Sequence, residues 1–163
     1  MNYWEYMTNL KELSIKRPST NNGSAVSSVQ HTFIYIGHTM KSAKDYLDLA
    51  NESVPRLSAT DAIARVKAGK SVVVDVRDSS AIADSGTIAG AVRIPRGFIE
   101  FAADDATPFH NEAMKKDADI LLVCAAGGQA ALAGKTLQDM GYTSVSNIGG
   151  IGDWKDAGGA MED

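Results

Sequence analysis

Cys124 is the only cysteine in the chain, and it stands between an apolar run, Ile120 to Val123, and the small-residue stretch Ala125-Ala126-Gly127-Gly128-Gln129-Ala130. A thiol placed where a buried strand gives way to a glycine-containing loop and then a helix lies among converging backbone N–H groups. The positive end of the helix dipole sits behind them. That setting favours an anion and predicts a sulfur ready to act as a nucleophile. Gly127 and Gly128 permit backbone conformations closed to larger residues, while the alanines let the backbone approach a bound atom and leave an open mouth. Four charged residues are candidates for anion-binding or structural support: Arg77 and Asp78 after one strand, Arg93 and Arg96 around another. Adjacent charges at a strand end fit a structural ion pair or loop clamp better than a catalytic role. Arg93 and Arg96 suit attraction of an anion and an exposed surface role equally well. His31, His38 and His110 have no acidic or cysteine partners at ligand spacing, so no metal site is expected. The glycines of Gly149-Gly150-Ile151-Gly152 lack the further glycine and downstream βαβ unit of a nucleotide-binding motif. They read as a tight turn feeding a terminal helix anchored by Trp154, and no cofactor is expected.

The elements that position Cys124 follow from periodicity. Ser58-Ala59-Thr60-Asp61 opens a helix that closes at Gly69, and Ser71 to Val76 is a continuous apolar run of the kind found in buried parallel strands. Ala91 to Ile94 is a short strand stopped by Pro95. Ile120 to Cys124 and Ser144 to Ile148 are two more. Between these last two, Gln129 to Met140 carries a buried helical stripe of Ala133, Leu137 and Met140, and Gly141 is a natural C-terminal cap. Repeated strand, helix, strand units imply an α/β domain with a mainly parallel sheet covered by helices on both faces. Sites in such sheets form beyond the carboxyl ends of the strands, which is where Cys124 falls.

Composition fits a single domain with its own core: 163 residues, 44% hydrophobic and 22% charged. One cysteine forms no internal disulfide, so the fold needs no oxidising compartment. A net charge of -4 offers no electrostatic case for nucleic acid or an anionic membrane as main partner. The first residues resemble no signal peptide, no long apolar run suggests a membrane helix, and a cytoplasmic protein is the expectation. Residues 1–39 combine an aromatic start, a Ser/Asn/Gly-rich tract and a short apolar patch, Phe33 to Ile36. They read as a poorly ordered extension with a weak strand signal at Thr32 to Ile36. The ordered domain is expected over 40–163, with a leading helix at about 40–52 whose Ser42 and Asp45 suit a capping box. Met40 is a candidate native start, and a genuine disordered extension is the equal alternative.

Four stretches, taken in order, resemble the landmarks of a single-domain rhodanese, a sulfurtransferase. They are Asp75-Val76-Arg77-Asp78, Gly86 to Pro95, the Cys124 loop, and Gly149 to Trp154. The resemblance covers about residues 56 to 160 and implies a single rhodanese-like domain built on a mainly parallel five-stranded sheet. It implies that Cys124 takes the outer sulfur of thiosulfate or another sulfane donor, holds it as a persulfide, and passes it to cyanide or to an external thiol, a protein thiol included. The loop Ala125, Ala126, Gly127, Gly128, Gln129 and Ala130 then cradles the sulfur. Two departures stand out: Thr87 where the family often has His, and Gln129 where many members carry Arg. A non-catalytic binding or regulatory module on the same fold is the alternative, and phosphatase or arsenate-reductase chemistry is a further one. Related phosphatases use a Cys-x5-Arg loop whose arginine grips phosphate. Here four residues separate Cys124 from Gln129, and no arginine follows. With Gln129 replacing a cation, thiosulfate should bind weakly and Gln129→Arg should lower its KM. Unchanged kinetics in that variant would mean that a charge elsewhere already serves, with Arg93 and Arg96 the candidates in the sequence.

Overall fold

The computed structural model describes residues 40–163. The extension 1–39, with its strand signal and with His31 and His38, lies outside the described residues. Helix α1 (Ala43–Ser53) starts at Ser42, whose side chain accepts from the Asp45 N–H while the Asp45 carboxylate accepts from the Ser42 N–H. This reciprocal box satisfies donors that a helix start leaves unpaired. Helix α2 (Ala59–Lys67) is capped by Ser58, whose Oγ accepts from the Asp61 N–H and donates to the Asp61 carboxylate.

Strand β1 (Ser71–Asp75) leads through α3 (Ser79–Ser85) to the short strands β2 (Thr87–Ile88) and β3 (Val92–Arg93). A 3-10 turn and α4 (Ile99–Ala103) precede β4 (Asp119–Cys124), α5 (Gly128–Asp139), β5 (Ser144–Gly150), α6 (Ile151–Asp156) and β6 (Met161–Glu162). The central sheet has the order β3-β1-β4-β5 with every pairing parallel. Side chains alternate between its faces, as strand period two requires. Val74, Ile120, Leu122 and Cys124 face a core shared with Ile99 of α4 and with Ala130, Ala133 and Leu137 of α5. Val73, Leu121, Val123 and Ile148 face Ala62 of α2 and Trp154 of α6.

The sheet has four strands, a correction to the five implied by resemblance. The place of a fifth, outside β5, holds a single parallel bridge, Arg56 to Asn147. Asn147 donates to the Pro55 carbonyl and receives nothing from Pro55, which has no N–H, while Leu57 donates to the Asn147 carbonyl. One residue later Ser58 caps α2, so the ladder ends there. A small antiparallel pair, β2 with β6, is an addition the sequence did not suggest. It ties the chain end to the sheet region, with Trp154 Nε1 donating to the Ala160 carbonyl.

Arg77 is paired with Asp75, not with its neighbour Asp78. Both partners are buried, and Asp75 also accepts from the Thr87 hydroxyl at 2.8 Å. Arg77 Nη2 reaches Asp75 Oδ2 at 2.6 Å and the Gly86 carbonyl at 2.7 Å, and Nη1 reaches Ser85 Oγ at 2.8 Å. The guanidinium therefore joins the end of β1 to α3 and to the turn before β2. Asp78 is an exposed residue at the start of α3 whose side chain makes no capping bond. Parity explains the difference: residues two apart share one face at the strand end while adjacent ones point to opposite faces, and the Arg77 N–H also donates to Asp75 Oδ1 at 3.0 Å. Removing one partner of a buried pair strands the other charge, at a cost of about 3–5 kcal/mol. Arg77→Met should lower unfolding stability in urea by about that amount, while Asp78→Asn should stay within about 0.5 kcal/mol of the parent.

Candidate active site

Cys124 ends β4 opposite Gly150 of β5, at the carboxyl edge of the sheet. Its side chain follows the parity of Ile120 and Leu122 and points under α5, and only 2% of the residue is exposed. This corrects the expected open mouth. Ala125 and Ala126 are exposed, yet the sulfur itself is seated behind them. The loop proper is three residues, Ala125 to Gly127, because α5 begins at Gly128. Gly127, at φ +97°, turns its N–H back onto the sulfur and donates to Cys124 Sγ at 3.0 Å. Gly128, Gln129 and Ala130 form the first helical turn, where backbone N–H groups have no carbonyl partner within the helix. An anion on Sγ thus meets one aligned donor and the positive end of a 12-residue helix. Gln129 is exposed at that end.

Two features of β5 hold the loop. A register shift between Leu122 and Val123 places Gly149 opposite Val123 and Gly150 opposite Cys124. A Cβ on Gly150 would stand 2.6 Å from the Ala125 carbonyl oxygen, so only glycine lets the loop lie this close. Asn147, 1% exposed, supplies the clamp. Its Nδ2 donates to the Gly127 carbonyl at 3.0 Å, and its Oδ1 accepts from the Gly149 N–H at 2.9 Å. Asn147 was not among the sequence candidates. An Asn within a strand is unusual enough to have been a signal, since strands are depleted in it.

The Rhodanese-like domain family model matches residues 58–157. The chain belongs to this family. A solved protein of unknown function from Rhodopseudomonas palustris CGA009, described as a possible tyrosine phosphatase, is 42% identical. It superimposes with a TM-score of 0.71 over 75% of this chain and 95% of its own. The human single-domain sulfurtransferase is 26% identical over 64% of this chain and 97% of its own, with a TM-score of 0.56. A rhodanese-like domain from an Anabaena protein is 29% identical over 66% of this chain and 78% of its own, with a TM-score of 0.55. No curated protein matches. The rhodanese fold and a sulfurtransferase among its neighbours support sulfur transfer as the general class of chemistry.

Within this rhodanese domain the candidate cations are differently placed from the sequence expectation. Arg77 is consumed by Asp75. Arg93 binds Glu162 at 3.1 Å and the Asp163 carbonyl at 2.6 Å, which fixes β6. The Gly90 N–H and then Arg93 hold the Glu162 carboxyl below its ordinary range. Arg96 binds Glu100 and the Thr136 hydroxyl, both at 3.0 Å. These contacts make Arg93 and Arg96 struts between elements. Among the described residues, the cation set against the loop is Arg56, from the linker between α1 and α2. Its Nη1 stands 2.2 Å from where a Cβ on Gly127 would be. Sequence reasoning missed it because it lies far upstream, and no spacing connects it to Cys124.

His110 lies away from the loop, beside Ala103 and Met114. Among the described residues, no three His, Cys, Asp or Glu side chains converge as a metal site, and no helix is long and apolar enough to cross a membrane. Asn147→Ala would leave the Gly127 carbonyl and the Gly149 N–H without their buried partner, at about 1–3 kcal/mol. The expected result is that loss in urea unfolding, together with faster native-state labelling of Cys124 by a bulky disulfide reagent. Unchanged labelling would show that the loop holds its shape without the clamp.

Proposed function

We propose that this protein is a sulfurtransferase that carries sulfane sulfur as a persulfide on Cys124. The observation that carries the reading is the Gly127 N–H aimed at Sγ from a short loop capped by a helix start. The thiolate attacks the outer sulfur of thiosulfate, the S–S bond breaks, and sulfite leaves with the bonding pair. Cys124 is left as the persulfide anion. An acceptor thiolate or cyanide then attacks the terminal sulfur, forming its own persulfide or thiocyanate and returning the Cys124 thiolate. Both anionic states of Cys124 suit the same donor and the same helix dipole. No cofactor enters either step.

Solitude of the thiol decides the second half of the cycle. With no second cysteine in the chain, a resolving disulfide within it has no partner. Release therefore goes to an external acceptor such as cyanide, glutathione or a thioredoxin-like protein. A lone thiol that works as a thiolate suits a reducing compartment, and the reading places the protein in the cytoplasm.

Phosphatase chemistry is the second reading, favoured by the description of the R. palustris neighbour as a possible tyrosine phosphatase. Against it stand the short loop and Gln129 at its end. A phosphoryl group carries more charge and bulk than one sulfur atom, and a bidentate arginine is its usual grip. A purely binding role has the retained, N–H-bonded thiol against it. Intact mass after incubation with thiosulfate or another sulfane donor should show a gain of one sulfur that is absent in Cys124→Ser. No gain with any such donor would favour the binding module, and turnover of an aryl phosphate would favour the phosphatase.

A further inference from the structure

The Arg56 guanidinium is built into the wall of the Cys124 loop. Its Nη1 lies 2.2 Å from the position a Gly127 Cβ would take, and its Nη2 lies 2.5 Å from that of a Gly149 Cβ. Both glycines have positive φ, +97° and +92°. Any side chain at either position would displace the guanidinium, so the two bare Cα atoms form its seat. The seat is fixed from the other side as well. Arg56 is bridged to Asn147 of β5, and Asn147 clamps Gly127. The cation is thus tied to the same loop residue whose N–H points at the sulfur.

Its charge is only loosely met. Arg77, Arg93 and Arg96 each have an acidic partner at 3.1 Å or less. Arg56 has one among the described residues, Asp153 at 3.7 Å, and that same oxygen, Oδ2, also accepts from the Gly150 N–H at 3.2 Å. The side chain is 53% exposed, so the guanidinium is anchored against the loop yet open to solvent. A planar fork with N–H groups left over is suited to oxyanions.

We propose that Arg56 is the anion-binding residue of this site, supplying from the α1–α2 linker the positive charge that Gln129 does not. It selects small anionic sulfur donors whose oxyanion end, a sulfonate such as that of thiosulfate, remains outside while the sulfane sulfur enters. It also stabilises the sulfite that departs. This rests on the sulfur-transfer reading, but the presence of the charge at Cys124 is testable without it.

The experiment alkylates Cys124 in the intact protein with anionic iodoacetate and with neutral iodoacetamide and takes the ratio of the two rates. Dividing the rates cancels changes in thiolate population and in loop exposure, leaving the local field. A unit charge about a loop's width away changes that ratio by roughly three- to tenfold at low salt. Arg56→Gln should lower it by that factor, Arg56→Lys should keep most of it, and Asp153→Asn should raise it. In parallel, the thiosulfate KM should rise severalfold in Arg56→Gln and recover in Arg56→Lys. A ratio unchanged in folded Arg56→Gln, or in Asp153→Asn should the first variant fail to fold, overturns the inference. If the wild type takes up sulfur from thiosulfate while the ratio ignores Arg56, sulfur transfer stands and the inference falls. If the ratio follows Arg56 while no donor loads the wild type, the anion site stands and the sulfur-transfer reading falls.

Discussion

Contact between two stretches of backbone underlies this site. The loop after Cys124 lies against Gly149 and Gly150 so closely that a single Cβ at position 150 would meet the Ala125 carbonyl at 2.6 Å. The seating of the Cys124 thiol depends on that approach. The shift in register between β4 and β5 puts the paired glycines where the loop crosses. Asn147 converts proximity into geometry by bonding the loop carbonyl and its own strand's N–H. Gly127 is thereby held with its N–H on the sulfur.

Charge is organised around the same approach. Among the described residues, Arg65, Arg77, Arg93 and Arg96 tie secondary-structure elements together, Arg77 through a buried pair with Asp75 and the others through partly exposed contacts. Their guanidinium groups are committed to the frame. Arg56 differs because it packs against bare glycine Cα atoms and is held by a backbone bridge, and its one ion pair among the described residues is long. The loop therefore combines dipoles that face inward to Sγ with the Arg56 charge at its outer wall. Dipoles fixed in advance by the fold would need no reorganisation to meet an anion at the sulfur.

Particular residues show how far local reading extends. Ser42, Ser58 and Gly141 mark helix boundaries through interactions spanning three or four residues, so their roles are legible in the sequence. The apolar runs Val72 to Val74 and Ile120 to Cys124 mark buried strands for the same reason, because burial on both faces leaves no polar alternation. Arg77 shows where this reading fails. Its neighbour Asp78 is the nearest acid in sequence, but strand geometry and burial pair it with Asp75, 2.6 Å away. Nothing nearby in sequence claims Arg93, whose partners Glu162 and Asp163 lie about seventy residues on, whereas Arg96 has one partner four residues on, Glu100, and a second, Thr136, that only the packing of α5 brings to it.

By itself the sequence determined the place of its one cysteine at the end of a strand, the small-residue loop that follows and the α/β architecture. Each of these is encoded by residue type and short-range periodicity. Tertiary structure alone decided that the sulfur is buried, that Asn147 clamps the loop, and that Arg56 rather than Arg93 or Arg96 stands beside it. Those outcomes depend on parity across a sheet, a one-residue shift in register and the absence of a Cβ at two distant glycines. Such features join residues through space, and no local pattern along the chain carries them.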